Sequence, residues 1–119
     1  MSYRTPLEEI EESLSQTGGF TVWPWDFKLY GGRGYAVGGQ GYLSRIPIGC
    51  INSDVLESLL LAYRALTSDS LFIGGWLEDG LVHIEQVRIY MSQRKAIEIA
   101  KLKGERFIYD FERKESIEV

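Results

Sequence analysis

The stretch LFIGGWLEDGLVHIEQVRIY, residues 71–90, decides the fold. Asp79-Gly80 at its centre is the strongest short-range signal for a two-residue β-hairpin, because both positions tolerate the left-handed backbone that such a turn needs. Closing the hairpin there sets Leu77 opposite Val82, Trp76 opposite His83 and Gly75 opposite Ile84. Ile73, Leu77, Val82 and Ile84 then share one face, the natural core side, while Phe72, Trp76 and His83 share the other. Beyond Ile84 the alternation slips. Val87 and Ile89 fall in the opposite phase, and an extra residue near Glu85-Gln86, a β-bulge, would restore it.

Elements on either side follow from periodicity. Upstream, Asn52 or Ser53 caps a helix predicted over 54–66, with Val55, Leu56, Leu59, Leu60, Tyr63 and Leu66 on a broad buried face. Downstream, Ser92 caps a third helix that runs to about Lys103 and stops at Gly104. RFIYDFE is then a strand, and SIEV a short last one. At the other end, residues 5–16 read as a helix with Thr5 as cap, Pro6 in the first turn and Glu8 completing a capping box.

Between the first two helices the pattern is period two. Trp23, Trp25, Phe27 and Leu29 alternate with Val22, Pro24, Asp26 and Lys28, which predicts a half-buried strand over 20–30. Pro24 cannot donate to a ladder, so that strand belongs at a sheet edge. Gly31-Gly32 reads as a hairpin turn with at least one positive φ, GYAV as a strand, GGQG as a second turn and YLSRI as a third strand. The expected fold is a single α+β domain over 1–119. Its sheet is mainly antiparallel, a β-meander plus the Asp-Gly hairpin, with about three helices packed on it.

The glycine-rich region invites a phosphate reading, and the residues do not support it. G-x-G-x-x-G from Gly32 and Gly34 would need glycine where Val37 stands. G-x-x-x-x-G-K-[ST] fits Gly34 and Gly39, but Gln40 and Gly41 replace the lysine and the hydroxyl, and Pro47 and Gly49 follow in place of a helix start. Two tight turns are expected here. The alternative is a binding loop made by Gly31, Gly32, Arg33, Gly38 and Gly39.

His83 and Glu85 are the best catalytic candidates, because two residues apart on a strand they share a face. An H-x-E of zinc deaminases needs a later P-C-x-x-C, and Cys50 is the single cysteine and lies upstream. Two potential ligands do not make a zinc site. A Cys50–His83 dyad has no support in the spacing. No catalytic residue, metal site or cofactor is expected, and His83 reads as a packed strand residue.

Composition narrows the partners. The net charge is −4 over 119 residues, which disfavours a phosphate backbone as partner, so nucleic acid is not expected. No stretch approaches the ~18 apolar residues of a membrane helix, and MSYRTPLEEIEES lacks the apolar region of a signal peptide. A cytoplasmic location is the default. Three tryptophans, seven tyrosines and five phenylalanines are more than one small core readily hides. Trp23, Trp25, Phe27, Trp76 and His83 are therefore the candidate partner-binding residues, for another protein or a second copy of the chain. The other reading buries them between sheet and helices.

The segments LFIGGWLEDGLVHIE, AIEIA and GERFIYDFERKESIEV, with GYAVG upstream, resemble small accessory proteins of bacteriophages and other bacterial mobile elements. The resemblance covers about 50 residues of the C-terminal half, and its motifs describe a ββαβ layout. It implies a compact accessory protein and brings no catalytic residue. Three functions are therefore carried forward. The first is a non-enzymatic module that binds and modulates a host protein such as a defence nuclease. The second is a small-molecule or nucleotide binder using the glycine-rich region, and the third a small hydrolase around His83.

Overall fold

The computed structural model describes residues 4–41, 43–66 and 71–119. Asp79 and Gly80 take φ of 52° and 76°, so the central turn is of the mirror-image type whose twist matches the flanking strands. The strands it joins, β4 (Phe72–Glu78) and β5 (Leu81–Tyr90), pair in the expected register, with Trp76 opposite His83 and Leu77 opposite Val82. Three helices and seven strands are present among the described residues. They are α1 (Pro6–Thr17), β1 (Gly19–Val22), β2 (Tyr35–Val37), β3 (Leu43–Pro47), α2 (Ser53–Leu66), β4, β5, α3 (Gln93–Leu102), β6 (Phe107–Asp110) and β7 (Glu115–Glu118). The sheet is antiparallel and curled, in the order β1-β4-β5-β2-β6-β7, with β3 also beside β5. The fold is α+β, as expected.

The helix caps form as the sequence indicates. Thr5 Oγ1 accepts from the Glu8 N–H, Asn52 Oδ1 from the Val55 N–H and Ser92 Oγ from the Lys95 N–H. Gly18 ends α1 with φ of 80°. Ile10 and Leu14 of α1 and Leu56, Leu60 and Tyr63 of α2 bury against Phe20, Ile73, Val82 and Ile84. A second cluster packs Ala96 and Ala100 of α3 on Val37 and Ile108. Leu77 lies on the expected core side, in register with Val82 and beside Leu14 of α1 and Ser53 of α2, yet is 40% exposed.

The meander is not formed. β1 pairs with β4, β2 with β5 and β6, and β3 with β5, so the first three strands do not pair with one another. The predicted strand over 20–30 ends at Val22. Residues 23–28 reverse the chain, with the Trp23 N–H donating to the Lys28 carbonyl and the Phe27 N–H to the Trp23 carbonyl, both at 3.0 Å. Leu29 then returns beside Val22. Pro24 therefore sits in a turn, where its fixed φ is useful, just past β1, which does lie at the edge of the sheet as expected.

Gly31 and Gly32 also depart from expectation, since the left-handed glycines are 18, 34, 39, 80 and 104. The requirement at Gly32 is space. The Tyr30 ring folds over it, its hydroxyl donates to the Arg33 carbonyl at 2.6 Å, and a Cβ at Gly32 would stand 2.7 Å from Tyr30 Cζ.

The predicted bulge on β5 is displaced to the facing chain. The β4–β5 ladder runs unbroken from Phe72–Val87 to Glu78–Leu81. On the other edge of β5, β3 and β2 lie in line, with Leu43 opposite Glu85 and Val37 opposite Arg88. The insertion that begins at Gly38–Gly41 therefore lies against Gln86 and Val87 of β5. GGQG is an insertion between two collinear strands rather than a hairpin.

One consequence of the packing is directly measurable. A Cβ at Gly75 would lie 2.6 Å from Cζ of the buried Phe20 ring. Gly75→Ala is expected to cost roughly 1–3 kcal/mol by overpacking, read as a lower denaturation midpoint with an unchanged far-UV spectrum. An unchanged midpoint would contradict this packing.

Candidate functional site

The 23–28 reversal carries the first surface of interest. Trp25 is 56% exposed at its tip. Trp23 supports it from below, ring centroids 4.8 Å apart, and itself packs on Phe72 at 4.5 Å and Tyr30 at 5.7 Å. Tyr30 continues to Phe111 at 4.7 Å. Arg64, near the end of α2, holds the tip from the side. Its Nη1 donates to the Trp25 carbonyl at 3.4 Å, and its guanidinium lies 5.3 Å from the Phe27 ring centre. Asp26 Oδ1 accepts from the Lys28 N–H, which fixes the turn. Leu61, one turn before Arg64, is exposed on the same helix. Trp23 and Phe27 are half-buried supports, and Trp25 is the residue they present.

The second surface is the sheet face opposite the helices. Trp76 and His83, paired across β4 and β5, stack with centroids 4.9 Å apart and planes 7° from parallel. Both are half-buried, so of the two readings of Trp76 the partly exposed one holds. Trp76 Nε1 donates to Glu78 Oε2 at 3.4 Å, and Arg45 of β3 stands opposite His83 in register.

Glu85 continues that face, two residues along β5. Its side chain is 7% exposed, because the glycine-rich insertion closes over it. A Cβ on Gly38 would run into Glu85 Oε1 and stand 2.9 Å from Glu105 Oε1, and one on Gly39 would stand 2.7 Å from Glu105 Oε1. Gly41 makes the same close approach to Gln86 Oε1. The backbone angle favours glycine at Gly39, whose φ is 71°; at Gly38 and Gly41 a side chain would have to push the ends of Glu85, Glu105 or Gln86 aside. Burial pushes the Glu85 carboxyl up to about 7. The charge of Glu105 adds to the rise, and a hydrogen bond from the Gly39 N–H opposes it. Burial also raises Glu105, with Lys103 acting in the other direction.

The residues of the alternative binding loop are not brought together. Gly31, Gly32 and Arg33 precede β2 and Gly38 and Gly39 follow it, at opposite ends of the strand. Cys50 is exposed in a short 3-10 turn after β3. Among the described residues no group of three or more His, Cys, Asp or Glu side chains is placed to hold a metal ion. No helix of the described residues is long and apolar enough to cross a membrane. Sequence reasoning missed Arg64 and Glu105, which the fold alone brings to Phe27 and to Gly38. The spacing of Gly38, Gly39 and Gly41 was the available signal for a close approach. Compared with protein-family models, curated proteins and solved structures, the chain matches none.

The raised Glu85 has a stability consequence. Its folded-state pKa of about 7 exceeds the ordinary 4.5, so its favourable contribution is complete below about pH 4.5 and is lost as pH rises through about 7. The loss is expected to be of the order of 2 kcal/mol. Denaturation of wild type and Glu85→Gln at pH 5 and pH 8 measures it. Wild type should weaken relative to the variant at pH 8, and parallel behaviour would contradict the assignment.

Proposed function

We propose that the protein is a non-enzymatic interaction module that binds a protein partner stoichiometrically through the surface centred on Trp25. The observation that carries this reading is an exposed tryptophan with the Trp23 ring packed beneath it and Arg64 bonded to its backbone carbonyl. Tryptophan and arginine are the residues most enriched at the energetic centres of interfaces, and a pre-ordered anchor loses little side-chain entropy on binding. Exposed Leu61 extends the surface along α2. The partner we propose is a host protein, such as a defence nuclease.

The test compares wild type, Trp25→Ala and Trp76→Ala as immobilised baits for bacterial host proteins, alongside sedimentation of each in solution. Truncating a central interface tryptophan costs about 2 kcal/mol or more, at least a tenfold loss of affinity. Trp25→Ala should lose the retained partner, or the self-association if the partner is a second copy, while its exposed position leaves the fold intact. Retention and sedimentation unchanged by Trp25→Ala would refute the reading.

A further inference from the structure

The insertion between β2 and β3 has the parts of a gate. Its two ends are fixed, by Val37 opposite Arg88 and by Leu43 opposite Glu85. Between them Gly38–Gly41 is longer than the Gln86–Val87 stretch that β5 places there. Gly39 has φ of 71°, and Gln40 Nε2 bonds back to the Val37 and Gly38 carbonyls at 3.4 and 3.3 Å, so the segment holds its own shape. Its inner side touches two carboxyl groups, and its outer side is solvent-facing at Gly39 and Gly41.

We propose that Gly38–Gly41 is a pH-controlled flap: with Glu85 protonated the flap lies shut against it, and ionisation of Glu85 releases the flap. The proton leaves to solvent, and the carboxylate left behind faces Glu105 across Gly38. Either that charge stays dry beside a second negative charge, or the flap lifts and water enters.

The surroundings offer Glu85 little compensation. Opposite it on β4 stands Gly74 and on β3 stands Leu43, neither of them charged. On its own strand His83 precedes it by two residues and is stacked on Trp76, and Val87 follows. Arg45 of β3 is in register with His83 rather than with Glu85. The turn after α3 brings Glu105, with Lys103 acting on Glu105. The flap contributes no ionisable side chain, only the Gly39 N–H. The balance of burial, Glu105 and that N–H puts the changeover close to neutral pH. Opening would uncover Glu85 on the face that carries Trp76 and His83 and would loosen the junction of β2 with β3.

Amide exchange with water, measured by NMR and corrected for intrinsic base catalysis, tests the gate at Gly39 and Gly41. A single proton linked to opening changes the opening constant up to tenfold per pH unit. Wild type should open at least tenfold more at pH 8 than at pH 5.5, and Glu85→Gln less than twofold. Glu105→Gln should open less than wild type at pH 8, because the opposing charge is gone; this arm also decides the matter if Glu85→Gln does not fold. No pH dependence in wild type, or an equal one in Glu85→Gln, would overturn the proposal.

Discussion

β5 hydrogen-bonds along both of its edges, and the rest of the structure is arranged around that fact. One edge is taken by β4 in an unbroken ladder. The other is shared by β3 and β2, which arrive in line but with residues to spare between them. The excess collects at that edge, where Gly38 lies close to the end of Glu85 on one face and Gly41 close to the end of Gln86 on the other. A carboxyl group in the middle of the central strand is thereby closed off on a face that no helix protects. Its raised pKa is a consequence of topology.

The aromatic richness of the chain has a related cause. α1 and α2 seal the sheet face of Val82 and Ile84, and α3 packs where β2 meets β6. The opposite face is covered by side chains instead. Trp23 and Tyr30 lie on Phe72, Phe111 packs on Tyr30, and Trp76 lies against His83. Flat rings thus stand in for a helical layer, and they take up five of the fifteen Phe, Trp and Tyr residues. Trp25 is the exception. It sits on top of the layer rather than within it, and it is exposed.

Much of the fold was legible because it is encoded locally. Thr5, Asn52 and Ser92 cap their helices by bonds within three residues, and Asp79-Gly80 fixes its hairpin through backbone angles alone. Pairing between β1, β2 and β3 was misread for the opposite reason. Gly31-Gly32 satisfies the local rule for a hairpin, yet its glycines make room for the Tyr30 ring, and the strands find partners on distant segments. The alternation from Trp23 to Leu29 was similarly deceptive, since a tight reversal spaces aromatic residues as a strand would. The slip in phase along β5 was a true signal placed on the wrong chain. Glu105 and Arg64 were invisible because neither takes its partners from nearby sequence.

The enclosure of Glu85 beneath the glycine insertion is the claim on which this account stands or falls, and its carboxyl carbon can be followed directly. With 13C-labelled glutamate and Glu85→Gln to assign the signal, the titration midpoint should lie near 7, well above the 4.5 of an ordinary glutamate. A midpoint in the ordinary range would mean that water reaches the carboxylate freely and that the insertion does not close over it.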